Sequence, residues 1–321
     1  VQGKRIAENV VALAGGVGGA KLAQGLAGVV ESDCLTVVIN TADDFRLWGL
    51  HISPDLDTVM YTLAGIANPA KGWGVVDDTH HTLQALAGYG VNPWFSLGDR
   101  DFATHIIRTE QLGKGVSLTA ITRQLSQALG IAVSLIPMTD DPVATRIRSG
   151  NDILDFQEYF VARRQEDVVD GVTFAGIEDA VASSEALQAL DAASVIVFCP
   201  SNPIVSIGPI LDVPGMRDVI RQSHAVKVGV SPIVGGKALK GPADKMLASL
   251  GHEASSLGIA RIYQDLLDIL VIDETDRELA EPIRALGLDV LVTQSIMGGT
   301  VDRERLALEV VTEAQLHRSH V

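Results

Sequence analysis

The feature that most constrains this chain is an apolar pentapeptide running straight into a glycine cluster. Val10-Val11-Ala12-Leu13-Ala14 is followed by Gly15-Gly16-Val17-Gly18-Gly19-Ala20 and then by Lys21-Leu22-Ala23-Gln24-Gly25-Leu26. A continuous apolar run of this kind reads as a strand buried on both faces. Such a strand needs neighbours in a parallel sheet and helices above and below. Glycines between strand and helix let the backbone approach a ligand closely, and the free N–H groups of the following helix suit an anion. A second run, Cys34-Leu35-Thr36-Val37-Val38-Ile39, ends in Asn40-Thr41-Ala42-Asp43-Asp44, and Ser53-Pro54-Asp55-Leu56-Asp57-Thr58 follows shortly after.

The same pattern recurs along the chain. Strands are predicted at 10–14, 35–39, 131–137, 194–199, 226–230, 269–272 and 290–292. Helices are predicted at 20–29, 79–87, 101–112, 118–129 and 302–315, with another starting near Asp57, where Val59, Met60, Leu63 and Ile66 recur at helical spacing. Residues 145–180 differ: Arg146-Ile147-Arg148 and the stretch 155–163 alternate weakly around a turn at Ser149-Gly150-Asn151. The expectation is one Rossmann-like α/β domain over 1–321, doubly wound with a mostly parallel sheet. A smaller mixed α/β insertion at about 140–185 would lie over that sheet. Ligands bind such sheets at the carboxyl ends of the strands, where the loops 15–19, 40–44, 200–209 and 231–241 fall.

Charge narrows the choice of ligand. With 40 acidic against 25 basic residues the net charge is −15, so there is no basic stripe for nucleic acid or anionic lipid. An anionic small molecule would depend on glycine-loop amides, helix N-termini, a few Lys or Arg, or a metal. Cys34 and Cys199 each sit in an apolar run outside any CxxC pair and read as buried, reduced thiols. No run of 18 apolar residues exists and no signal segment precedes the glycine cluster, so no membrane span and a cytoplasmic location are expected.

Four groups of residues carry candidate chemistry. Gly15, Gly16, Gly18 and Gly19 form neither GxGxxG in register nor a Walker A loop, because Ala20 and Leu22 stand where Gly and Ser/Thr would flank Lys21. The close-approach argument holds without those motifs. Asp43, Asp44, Asp55 and Asp57 suit Mg²⁺ or proton transfer, with helix capping as the plain alternative for Asp55 and Asp57. Asp101, His105 and Arg108 share one helix face, either as an ion network or as the wall of a pocket. Ser201, Asn202 and Ser206 lie in a proline-bounded turn at a strand end, and Lys237 and Lys240 lie on a glycine-rich loop suited to phosphate. His80-His81 alone is poor evidence for zinc.

Seven blocks in order resemble the 2-phospho-lactate transferase family of coenzyme F420 biosynthesis (the CofD/FbiA type). They are Ala14-Gly15-Gly16-Val17-Gly18-Gly19-Ala20-Lys21-Leu22, Asn40-Thr41-Ala42-Asp43-Asp44, Ser53-Pro54-Asp55-Leu56-Asp57-Thr58-Val59-Met60-Tyr61, Leu97-Gly98-Asp99-Arg100-Asp101, Pro137-Met138-Thr139-Asp140-Asp141, Ser201-Asn202-Pro203-Ile204-Val205-Ser206-Ile207 and Lys240-Gly241-Pro242. The resemblance implies a homodimeric, Mg²⁺-dependent enzyme joining the deazaflavin alcohol Fo to a phosphorylated three-carbon acid carried by a guanosine diphosphate-like donor, with GMP leaving. For that reaction Asp43 and Asp55 would be, on physical grounds, the carboxylates serving the metal and the Fo hydroxyl, with Asp44 and Asp57 as supporting ligands or general base. Gly15, Gly16, Gly18, Gly19, Lys21, Asn40, Thr41 and Lys240 would serve the diphosphate side, and Ser201, Asn202 and Ser206 the guanosine. The 95–109 segment, with Asp99, His105 and Arg108, would stand beside the deazaflavin ring. A regulatory branch of the same superfamily, the gluconeogenesis-factor type, resembles the chain at the glycine cluster and implies UDP-sugar binding without transfer. A nicotinamide-dependent oxidoreductase fails for want of the fingerprint.

Overall fold

The computed structural model describes residues 5–320. The chain begins with β1 (Val10–Ala14), α1 (Gly16–Val29) and β2 (Leu35–Ile39), then turns through a hairpin of β3 (Phe45–Leu47) and β4 (Leu50–Ile52). Four helices follow, α2 (Pro54–Leu63), α3 (His81–Gly88), α4 (Asp99–Gly113) and α5 (Leu118–Ala128), before β5 (Ser134–Pro137). A small sheet of β6 (Ala144–Ser149), β7 (Asp152–Asp155) and β8 (Gly171–Ala175) comes next. The second half continues with α6 (Ser184–Asp191), β9 (Val195–Phe198), α7 (Gly208–Asp212), α8 (Met216–Gln222) and β10 (Val226–Val230). After the short pair β11 (Ile233–Val234) and β12 (Lys237–Ala238) come α9 (Ala243–Ser249), α10 (Ser256–Tyr263), β13 (Ile269–Asp273), α11 (Ala280–Arg284), β14 (Asp289–Thr293) and α12 (Thr300–His320).

The main sheet has seven parallel strands in the order β14-β13-β10-β9-β1-β2-β5. Alternate side chains of each strand feed opposite cores, as pleating requires. Val10, Ala12 and Ala14 of β1 face α1, α2, α5 and α12, whereas Val11 and Leu13 face the side covered by α6, α7, α8, α10 and α11. The same division holds for Val195 and Val197 against Ile196 and Phe198 of β9. This two-sided burial is why the strands read as unbroken apolar runs. Helices α1 and α12 cross at Gly25, where a Cβ would collide with the Arg303 carbonyl.

The differences from expectation have local causes. Helix α1 starts at Gly16 instead of 20, so the glycine cluster supplies its first turn, and α2 starts at Pro54, with Ile66 beyond its end. Strand β5 is confined to Ser134–Pro137. The stretch read as an antiparallel or mixed insertion is a three-stranded antiparallel sheet, order β7-β6-β8, with its β6–β7 turn at the expected Gly150-Asn151, while residues 158–162 form a single wide helical turn. The β3–β4 hairpin has a two-residue loop, Trp48-Gly49, with φ of 50° and 84°, the left-handed pair that suits a tight hairpin turn. Its strands are too short to show alternation. Cys199 is buried and Cys34 half-buried, both free. Among the described residues no helix is long and apolar enough to cross a membrane.

Candidate active site

Strand order reverses at β1: the chain winds outward through β2 and β5, then returns to β9 on the other side. The crevice at the carboxyl ends of β1, β2 and β9 is the switch point at which such sheets bind ligands. Ser201, just past β9, bridges it to the glycine cluster. Its Oγ accepts from the Gly15 N–H (3.1 Å) and donates to the Gly15 carbonyl (2.8 Å). A Cβ at Gly15 would stand 2.5 Å from Asp55 Oδ2 and 2.7 Å from Ser206 Cβ, so only glycine fits.

Asp55 enters from the first turn of α2. Its Oδ1 accepts from the Gly16 N–H at 2.8 Å and its Oδ2 from Asn40 Nδ2 at 2.9 Å. Gly16 has φ +61°, left-handed backbone that glycine adopts without strain. Asn40 is fixed in turn, because its Oδ1 accepts from the Ala42 N–H and its Nδ2 also reaches the Val205 carbonyl. Asp43, 5% exposed, accepts a hydrogen bond from Thr145 Oγ1 at 2.9 Å. Asp44 Oδ2 lies 2.9 Å from His51 Nε2 and accepts from Ser53 Oγ at 2.7 Å. Asp44 Oδ1 and Thr41 Oγ1 are buried without a partner.

No cation pairs with Asp43 or Asp55 among the described residues. Burial, then the charge of Asp55, holds the Asp43 carboxyl well above the usual carboxylate range. Burial pushes Asp55 up to about 6 against the opposing bonds from Asn40 and Gly16. Burial also raises Asp44, against His51 and Ser53. Buried carboxylates that feel one another's charge, with Asp44 Oδ1 and Thr41 Oγ1 unpartnered, offer oxygen-only donors of the type that a hard divalent cation such as Mg²⁺ takes.

The structure gathers Gly15, Gly16, Asn40, Thr41, Asp43, Asp44, Asp55, Ser201 and Ser206 here, and directs other predicted residues elsewhere. Asp57 is engaged by Arg108 through both terminal guanidinium nitrogens, and His105 Nδ1 lies 3.6 Å from it. His105 Nε2 sits 3.2 Å from Asp101 Oδ1 without hydrogen-bond alignment, and the Tyr61 hydroxyl is 2.8 Å from both Asp101 and Thr104. Asp57, Asp101 and His105 cluster tightly, but Arg108 already engages Asp57 and the Tyr61 hydroxyl engages Asp101, so His105 and Arg108 form a buried network behind α2. Asp99 caps α3, accepting from Thr79 Oγ1 and the His81 and Thr82 N–H groups, while Asp78 caps α4 in return. The Thr79 hydroxyl and those amides hold Asp99 below the usual carboxylate range.

Asn202 accepts from the Ile204 N–H and so closes its own turn. Lys21 donates to the Met297 carbonyl (3.0 Å) and Lys240 to the Lys71 carbonyl (2.8 Å), so both lysines tie loops together at the rim. Gly18 and Gly19 are filled by protein. A Cβ would collide with the Pro200 carbonyl at Gly18 and stand 2.6 Å from Ser201 Oγ at Gly19. Sequence reasoning missed His51, Ser53 and Thr145. Ser53 precedes a helix-opening proline and was visible; the other two are single polar residues with no pattern around them. It also missed the 68–80 segment, which with Ser96, Gly98 and Asp101 lines a cavity of about 260 Å³ containing Trp73, Asp78 and His80. That segment reaches the glycine cluster where Gly72 abuts Val17.

Comparison with known proteins bears on this arrangement. The family profile described as 2-phospho-L-lactate transferase CofD matches residues 10–305. A phosphoenolpyruvate transferase of Streptomyces griseus is 43% identical over 315 residues, covering 95% of this chain and 99% of the relative. A 2-phospho-L-lactate transferase of Methanosarcina mazei is 40% identical over 305 residues, covering 95% and 100%. Among solved structures, a UPF0052 family protein of Bacillus halodurans superposes with a TM-score of 0.66 at 15% identity, covering 95% of this chain and 99% of that one. That likeness speaks for the fold.

Proposed function

The chain belongs to the 2-phospho-L-lactate transferase (CofD) family, and from that premise we propose that it moves a 2-phospholactyl or phosphoenolpyruvyl group from a guanosine diphosphate-linked donor to the ribityl hydroxyl of Fo. The products would be GMP and coenzyme F420-0 or its dehydro form. The observation that carries the reading is the buried pair Asp43 and Asp55, the second held by the Gly16 amide, with no cation pairing either among the described residues. In the proposed site these two hold Mg²⁺, which supplies charge neutralisation on the phosphate oxygens. The Gly15 and Gly16 backbone and Ser201 fix the floor on which the diphosphate rests, and Lys21 and Lys240 supply positive charge at the rim. Ser206 and the turn closed by Asn202 face the guanosine. The cavity beside Trp73, His80 and Ser96 takes the deazaflavin ring.

Asp44, oriented by His51 and Ser53 and with Oδ1 free, accepts the proton of the ribityl hydroxyl. The hydroxyl oxygen forms a bond to the distal phosphorus. The bond from that phosphorus to the bridging oxygen breaks, and GMP leaves with that oxygen. Relatives bear both names, phosphoenolpyruvate transferase and 2-phospho-L-lactate transferase, at nearly equal identity. The acid is therefore read from the product. The protein is mixed with Fo, Mg²⁺ and each guanylylated donor made in situ, and mass spectrometry looks for GMP and a phosphodiester-linked deazaflavin. A product establishes the transfer and its mass names the acid. No product with any donor, together with tight UDP-sugar binding, would replace this reading with a regulatory one.

A further inference from the structure

We propose that Thr145, on the first strand of the small sheet, is a positioning residue that aims the Asp43 carboxylate at the metal. The inference rests on the metal-centre reading above. Thr145 stands 102 positions after Asp43, yet its Oγ1 donates to Asp43 Oδ1 at 2.9 Å. Its own N–H donates to the Ala42 carbonyl at 2.7 Å, so backbone and side chain grip the 42–43 segment together. At 2% exposure, Thr145 is shielded from bulk water. The β-branched side chain is stiff about χ1, so its aim is fixed once the backbone is. Among the described residues no other protein donor reaches Asp43, which leaves Oδ2 for a cation.

Core packing alone does not account for the hydroxyl, because valine would fill the same volume. The strand pair that carries it is braced on the other side of the crevice as well. Thr145 pairs with Phe174 of β8, and the Phe174 ring lies against Gly208, next to the turn that carries Ser206. The small sheet thus leans on both walls of the site and places one donor at its centre. Donors that hold a metal ligand from behind typically change metal affinity about 10- to 100-fold when removed.

The test is a Mn²⁺ titration of the full chain, following free Mn²⁺ by electron paramagnetic resonance, for wild type, Thr145→Val, Thr145→Ser and Asp43→Asn. Thermal melts confirm the fold of each. Thr145→Val should weaken Mn²⁺ about tenfold or more, Thr145→Ser should stay within about threefold of wild type, and Asp43→Asn should lose the site. If Thr145→Val does not fold, Thr145→Ala carries the same expectation. Wild-type affinity in a folded Thr145→Val protein, with the site lost in Asp43→Asn, overturns this inference and leaves the metal centre standing. Equal weakening in Thr145→Ser and Thr145→Val also overturns it, by assigning the effect to the strand instead of the hydroxyl. Unchanged Mn²⁺ binding in Asp43→Asn, or none in wild type, overturns the metal centre and the inference with it.

Discussion

Asp55 shows what a single residue gives up for the site. Its carboxyl ionises near 6 in the folded protein, against about 3.9 in an unfolded chain. Between those values the native state binds more protons than the unfolded one, so the contribution of Asp55 to the stability of the metal-free protein falls as pH rises from about 4 to about 6, and the raised Asp43 and Asp44 carboxyls act in the same direction. A bound divalent cation opposes the loss, by linkage to the native state. Scanning calorimetry without metal should therefore give a higher midpoint at pH 5.5 than at 7.5, and Mg²⁺ at pH 7.5 should raise it. Asp55→Asn should weaken the pH dependence, leaving the share that the raised Asp43 and Asp44 carboxyls contribute, abolish the Mg²⁺ shift and lose turnover while remaining folded. A variant with wild-type pH dependence, or with turnover intact, would remove Asp55 from the proposed centre. Asn40 and Asp43 were legible as polar residues just past a strand end, and Asp55 as an acidic residue at a helix start. Asp57 was grouped with them by nearness in sequence, but residues two apart on a helix face nearly opposite ways, and the structure commits Asp57 to Arg108.

Among the elements, α2 and α4 are joined by that ion pair, and both partners are almost wholly buried. Removing one partner of such a pair leaves an uncompensated charge, at a cost of about 3–5 kcal/mol. Arg108→Met should lower unfolding stability in urea by that amount, and Asp57→Leu combined with Arg108→Met should recover much of it. A loss below about 1 kcal/mol in the single variant would mean that water reaches Asp57 and the network does not hold α2. Because Asp55 shares the first turn of α2 with Asp57, the single variant should also lose turnover at temperatures where it is still folded. The helix starts were the least legible part of the elements. Glycine is a poor helix former, so Gly16, Val17, Gly18 and Gly19 read as a loop, yet packing of this turn against 200–201 and of Gly25 against α12 makes them helical. Pro54 was the better signal, since proline is favoured in a first turn.

For the whole molecule, all seven strands of the parallel sheet were legible, because burial on both faces leaves the central strands as apolar runs, and even the partly exposed edge strand β14 keeps Val290-Leu291-Val292. Their order was not, and neither were the short pairs β3–β4 and β11–β12, whereas the β6–β7 hairpin was signalled by its turn at Ser149-Gly150-Asn151. The consequence lies at the seam between β1 and β9, where the two halves of the chain meet over the site. There Gly18 lies directly under the Pro200 carbonyl, and a Cβ would collide with it. The obstacle is backbone, so a larger residue must push the 200–206 segment away from the glycine cluster and pull Ser201 off Gly15. Gly18→Ala should therefore cost about 1–3 kcal/mol and lower turnover by far more than the stability loss explains. Gly88→Ala, on α3 with open space around its Cβ position, should leave both nearly unchanged. Melting curves and initial rates on the two variants check this directly. Equal behaviour of the two would show that the seam yields freely and that the position of Ser201 over Gly15 does not govern the reaction.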